Sequence, residues 1–211
     1  RSAAGCGRVH GPTGRAPRLP PPRRPPAASR RGYASRPGAP PLSYPEVGAT
    51  THDEGLRKGY TIARYGVELG QGEPLFERAR ASLANWDQCR LGWVEVVPET
   101  SLAVLGTNLA VLVHVPPSYF VNGGRVTVLA EHDSERHRSF SIGYGTLIDH
   151  AEQGEEKFSV SWDKTTGLVR YDVVAFSKPR MAAARLLKFW TRRLQRRFAR
   201  DSCLAMQKAV A

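Results

Sequence analysis

Between Thr61 and Leu69 apolar side chains recur at Ile62, Tyr65, Val67 and Leu69, an alternation close enough to two residues to predict a strand. Gly70-Gln71-Gly72 ends it. Glu73-Pro74 then places an acid and a proline where the first turn of a helix accepts both. Leu75, Phe76, Ala79, Leu83 and Trp86 follow at helical spacing, which predicts a helix with one buried face. From Leu91 the period returns to two. Strands are predicted over about 91–97, 107–115, 125–131, 138–147, 156–162 and 168–176. The turn signals between them are Pro116-Pro117, Asn122-Gly123-Gly124, the charged run 131–138, Glu152-Gln153-Gly154 and Asp163-Lys164-Thr165-Thr166-Gly167. Ser177-Lys178-Pro179 is read as breaking the last strand. Residues 181–209 hold neither Gly nor Pro and predict a long helix. Ala183, Leu187, Trp190, Leu194 and Phe198 form its apolar stripe; Arg185, Lys188, Arg192, Arg193, Arg196, Arg197 and Arg200 crowd its other faces.

The order is strand, helix, six strands, long C-terminal helix. Spacings this short make hairpins and an antiparallel sheet rather than βαβ units. Seven strands exceed what one flat sheet of this size carries, so the sheet is expected to curve around the last helix and bury its stripe. The expected class is α+β, in the order of the helix-grip fold of the Bet v 1 and START-like superfamily, where sheet and helix enclose a cavity.

Charge changes the picture for the chain's beginning. The first 45 residues hold 11 of the 16 prolines and 9 arginines, with no acid before Glu46. Such a stretch buries too little apolar surface to offset its ordering entropy, and is read as a disordered leader over 1–41 ahead of a single domain at 42–211. Its Arg, Ser, Ala and Pro content is that of an organelle transit peptide, and Arg31-Gly32-Tyr33-Ala34-Ser35 resembles a mitochondrial presequence cleavage pattern. The expected address is a plastid or a mitochondrion; without the leader it is the cytoplasm. The net charge of +12 is uneven: residues 46–179 carry 18 acids against 13 bases, while 180–211 carry 9 bases and one acid. The excess sits in the leader and on one helix, so no nucleic-acid partner is expected. Cys6, Cys89 and Cys203 are odd in number and widely spaced, which predicts neither a disulfide framework nor a zinc site. No apolar run reaches the ~20 residues of a membrane-spanning helix.

Several stretches in order resemble one family. These are Leu42-Ser43-Tyr44-Pro45-Glu46-Val47-Gly48-Ala49-Thr50, Gly92-Trp93-Val94-Glu95, the run from Phe140 to Phe158, Ala175-Phe176-Ser177-Lys178-Pro179, and Gln195-Arg196-Arg197-Phe198-Ala199-Arg200-Asp201-Ser202. They are similar to the "domain of unknown function nineteen-ninety" of bacteria and plants over about 42–210. The resemblance implies a Bet v 1-like cavity fold. It also implies a link to plant members described as chloroplast outer-envelope proteins with channel activity. It carries over no catalytic residue.

The densest polar cluster is Tyr144, Thr146, His150, Glu155 and Glu156, which a hairpin would bring together at a cavity mouth. His114 joins it as a core or cavity histidine within the apolar run 109–115. No second His or Cys lies at ligand spacing, so no metal and no cofactor are expected. Gly70-Gln71-Gly72 is no phosphate loop, because Glu73 would repel a phosphate and no Lys-Ser/Thr follows. The expected function is a non-enzymatic module holding a small apolar or amphipathic molecule. One alternative is a membrane-associated or channel-like envelope protein whose Arg192, Arg193, Arg196 and Arg197 meet an anionic surface. The other is an enzyme with acid–base chemistry at the 144–156 hairpin.

Overall fold

Seven strands pair antiparallel in a computed structural model that describes residues 24–26, 40–51, 59–98, 103–180 and 188–211. They are β1 (Thr61–Gln71), β2 (Val94–Pro98), β3 (Asn108–Val115), β4 (Ser118–Asp133), β5 (His137–Thr146), β6 (Glu152–Asp163) and β7 (Leu168–Pro179). Their order is β1-β7-β6-β5-β4-β3-β2, so every strand from β2 on is a meander step and β1 returns to pair with β7. Register shifts between Glu68 and Gly70 and between Val126 and Val128 mark bulges, which bend the sheet. Helix α1 (Glu73–Ala84) and helix α2 (Lys188–Val210) both lie on one face of this curved sheet and against each other. This is the helix-grip arrangement that the order of elements predicts.

The sheet's inner face carries Tyr65 and Val67 of β1, Leu109 and Val111 of β3, Phe140, Ile142 and Tyr144 of β5, Phe158 and Val160 of β6, and Val169, Tyr171 and Val173 of β7. Leu75, Phe76, Ala79 and Leu83 of α1 and Met206 and Val210 of α2 close over them. Each large apolar side chain so placed contributes roughly 1.5–3 kcal/mol. Tyr171 and Ser202 share a hydrogen bond at 2.6 Å and tie α2 to β7. Arg138 of β5 reaches Glu77 of α1 at 2.7 Å while its guanidinium lies over the Phe76 ring.

Three turn signals behave otherwise than read. Asn122-Gly123-Gly124 lies inside β4, which begins at Ser118 directly after the Pro116-Pro117 turn. Glu152-Gln153-Gly154 opens β6, and Ser177-Lys178-Pro179 completes β7. In each case ladder pairing on one or both sides overrides the local turn preference. Ile62 points away from the core and is 48% exposed. The leader outside 24–26 and 40–41, with Cys6 and the Arg31–Ser35 pattern, lies outside the described residues, as do Ala183, Arg185 and Leu187 and the side chains of Lys188 and Trp190.

Candidate functional site

Alternation along β6 divides the predicted polar cluster in two. Glu156 pairs with Tyr144 and shares the inner face with Phe158; Glu155 pairs with Gly145 and faces outward. A strand cannot place consecutive side chains on one face.

On the outer face Glu155 is buried and anchors the segment ahead of β1. Its carboxylate accepts from Tyr44 Oη at 2.7 Å, from Gly48 N at 2.8 Å, and from Thr50 N and Oγ1 at 3.1 and 2.6 Å. Four donors offset the desolvation of a buried carboxylate. Tyr44 also stands edge-on to Phe176, and its phenol is pushed well up, first by burial and then by the Glu155 charge. Thr146 binds Ser43 Oγ at 2.6 Å and both the N–H and the carbonyl of Gly154. Glu155 and Thr146 therefore fasten residues 42–51 to the back of the sheet. His150 is half-buried in the β5–β6 loop, where its Nδ1 accepts from Glu152 N at 3.0 Å. Burial pushes it down to about 4, so its ring is neutral at neutral pH. No hydrogen bond or ion pair among the described residues joins His150 to Tyr144, Glu155 or Glu156. His114 stacks on Tyr119 at 4.2 Å, on the face of β3 away from Leu109 and Val111.

The inner group is the remaining candidate. Tyr144 Oη donates to Glu156 Oε2 at 3.0 Å. The rings of Trp86, Tyr144 and Phe158 form a triangle with centroids 6.3–6.4 Å apart, and Phe198 of α2 adds its edge to Phe158 at 6.1 Å. Burial raises Glu156 to about 7, with the Glu152 carboxyl adding to the rise. Burial likewise raises Glu152, which accepts from Gln195 of α2 at 2.9 Å. Gln195 also donates to Ser177 of β7 at 2.9 Å. Trp86, just past the Asn85 cap of α1, takes a left-handed conformation, and its side chain is buried. Its indole N–H and both amide atoms of Gln88 are buried with no partner among the described residues. The sequence singled out Trp86 only as a helix-face residue. It gave no signal for Gln88, which sits in the turn after α1, or for Gln195, whose placement depends on how α2 crosses the sheet. Glu152 was read as part of a turn.

The family model "Domain of unknown function (DUF1990)" matches residues 43–205. The chain belongs to this family. The DUF1990 domain is 30% identical over 158 residues to a UPF0548 protein of Dictyostelium discoideum, covering 72% of this chain and 73% of that one. It is 30% identical over 156 residues to a UPF0548 protein of Arabidopsis thaliana, covering 73% and 75%. A hypothetical protein of Helicobacter pylori, solved as a crystal structure, superposes on the DUF1990 domain with a TM-score of 0.52 at 8% identity, over 81% of this chain and 96% of that chain. At that identity the likeness concerns the fold alone.

Among the described residues no group of three or more His, Cys, Asp or Glu side chains is arranged to hold a metal. No helix among them is long and apolar enough to cross a membrane. Arg192, Arg193, Arg196 and Arg197 are exposed on α2; Arg197 lies over the Trp93 ring at 4.3 Å and reaches Asp201 at 3.3 Å.

Proposed function

We propose that this DUF1990 domain is a non-enzymatic module that binds one small apolar or amphipathic molecule between the sheet and α2. The observation that carries the reading is the inner group: a Glu156–Tyr144 pair on an aromatic floor, beside the buried Trp86 indole N–H, which has no partner among the described residues. An unpaired buried polar group costs about 1–3 kcal/mol, which a ligand's polar atom would recover. That no hydrogen bond among the described residues joins His150 to Glu156 weighs against acid–base chemistry at the 144–156 hairpin. Native mass spectrometry of the whole chain, purified without detergent and incubated with a lipid and metabolite extract, tests the module. A bound mass that is lost on denaturation supports it; a clean apo mass sinks it.

A second reading is favoured by one observation: Arg192, Arg193 and Arg196 are exposed on a helix whose other side, at Ala199, Ser202 and Met206, is buried. Such a face suits the anionic surface of a plastid or mitochondrial membrane, the address expected from the leader. Sedimentation with phosphatidylglycerol vesicles that weakens with salt would support it. Equal recovery with neutral vesicles would not.

A further inference from the structure

We infer that the ligand of the inner site is an organic cation, an ammonium carried on an apolar or aromatic body, with Glu156 and Glu152 receiving the charge. The inference rests on the binding-module reading and gives it a ligand class.

The sign of the interior is what selects the class. Glu156 and Glu152 both stand on the inner face of β6, half-buried, at the end of the sheet that Gln195 reaches from α2. No basic side chain among the described residues forms an ion pair with either. The groups that face Glu156 are Tyr144 from β5, Glu152 on its own strand, Tyr171 from β7 and Cys89 from the segment after α1; none is a cation. The basic residues near this region are engaged elsewhere among the described residues. Arg180, whose backbone N–H bonds the Ala151 carbonyl beside Glu152, turns its guanidinium to the Ile148 carbonyl, Lys178 lies over Tyr60 on the outer face, and Arg197 lies over Trp93. Two carboxyls without a counter-ion among the described residues, one of them set against aromatic rings, are the complement of a charge brought in from outside.

The aromatic floor points the same way. Phe158 and Tyr144 present ring faces and edges beside the carboxyls, and Phe198 of α2 adds a third ring. Aromatic surface attracts an organic cation through the ring quadrupole and accepts its apolar body by burial. The Trp86 indole N–H, unpartnered among the described residues, is independent of the carboxyls and belongs to the same interior, since the Trp86 ring packs on both Tyr144 and Phe158. Glu156 is shared between its two protonation states near neutral pH. An arriving ammonium therefore favours the charged form and expels a proton.

Three probes of one shape separate the classes: naphthylmethylamine, naphthylmethanol and naphthoate, each titrated calorimetrically into the whole chain at neutral pH. The amine is expected to bind about tenfold tighter than the alcohol, and the naphthoate weakest. The heat of amine binding should differ between phosphate and Tris buffers by the release of up to one proton, a signature that packing alone does not produce. Glu156→Gln, which keeps an oxygen for Tyr144, should bring the amine down to the affinity of the alcohol and remove the buffer dependence. Glu152→Gln should give a smaller loss and serves if Glu156→Gln does not fold. Equal affinity for amine and alcohol overturns the cation assignment and leaves the binding module standing. So does a preference for naphthoate, or displacement of the amine by calcium or zinc alone. Failure of all three probes overturns the assignment too; the module itself falls only with a clean native mass.

Discussion

The Tyr44 hydroxyl donates to the Glu155 carboxylate at 2.7 Å, joining the segment ahead of β1 to the outer face of β6. Three further donors from Gly48 and Thr50 complete the shell around the same carboxylate. Glu155→Ala leaves these donors without their charged partner and should lower stability by about 3 kcal/mol. Tyr44→Phe removes one bond of the set and should cost about 1–2 kcal/mol. Urea denaturation of both variants checks the order. A Glu155→Ala protein as stable as wild type would show that the segment contributes nothing.

Gly145 meets the same tyrosine. A Cβ there would stand 2.8 Å from Tyr44 Cε1, inside van der Waals contact. Gly145→Ala should therefore destabilise by about 2 kcal/mol. In a Tyr44→Ala background the collision is gone, and the same substitution should cost almost nothing further. A double-mutant cycle measures the coupling; strict additivity would mean that the two positions do not compete for space.

Glu156 and His150 tilt the pH dependence in opposite directions. Glu156 rises from its ordinary 4.5 to about 7, so between those values the native state holds a proton that the unfolded chain has released. Stability falls as pH rises through that window. His150 drops from 6.5 to about 4, so between those values the unfolded chain holds the extra proton and stability rises with pH. Glu152, also raised, adds to the Glu156 slope. Glu156→Gln should steepen the rise of stability with pH below about 6.5 and exceed wild type above about pH 7. His150→Asn, whose carbonyl can accept from Glu152 N, should unmask the opposite slope. Denaturation midpoints across the range decide, and profiles that superimpose on wild type would falsify the assignment.

Arg138 gathers acids from two elements, α1 and β4. Its guanidinium reaches Glu77 at 2.7 Å, Glu73 and Asp133 at 3.5 Å and Glu131 at 3.6 Å, above the Phe76 ring. Lysine keeps the charge but loses the planar fork and the stack. Arg138→Lys should cost about 1 kcal/mol, and the difference should shrink in high salt because the acids are largely exposed. A salt-independent loss would assign the effect to packing on Phe76.

The kinds of element and their order were legible because periods of two and of 3.6 are written into residues such as Phe140, Ile142 and Tyr144, or Leu75, Phe76, Ala79 and Leu83. The glycines were not. Gly124 looks like a turn residue, yet a Cβ there would stand 2.7 Å from Leu109 and 3.0 Å from Tyr144, so it serves close approach within the sheet. The candidate cluster was half legible. Grouping by loop put Glu155 and Glu156 together, although parity with Phe158 and Val160 already assigns only Glu156 to the inner face. Trp86 and Gln88 are placed by the turn after α1 and Gln195 by the path of α2 across the sheet, which no local pattern encodes. The bonds from Tyr44 and Thr50 to Glu155 span more than 100 positions, and no spacing rule reaches that far.

The pairing of Thr61 with Ser177 and of Gln71 with Leu168 also sets a timetable for synthesis. β1 leaves the ribosome well before β7, and roughly 100 residues at about 5–20 per second keep it waiting for several seconds or more. Throughout that interval the ladder groups of β1 lack their final partner, and α2, which closes over the inner face, follows β7. The domain therefore has no early half that can mature alone. A chain stopped anywhere before Leu168 leaves the whole length of β1 without its ladder partner.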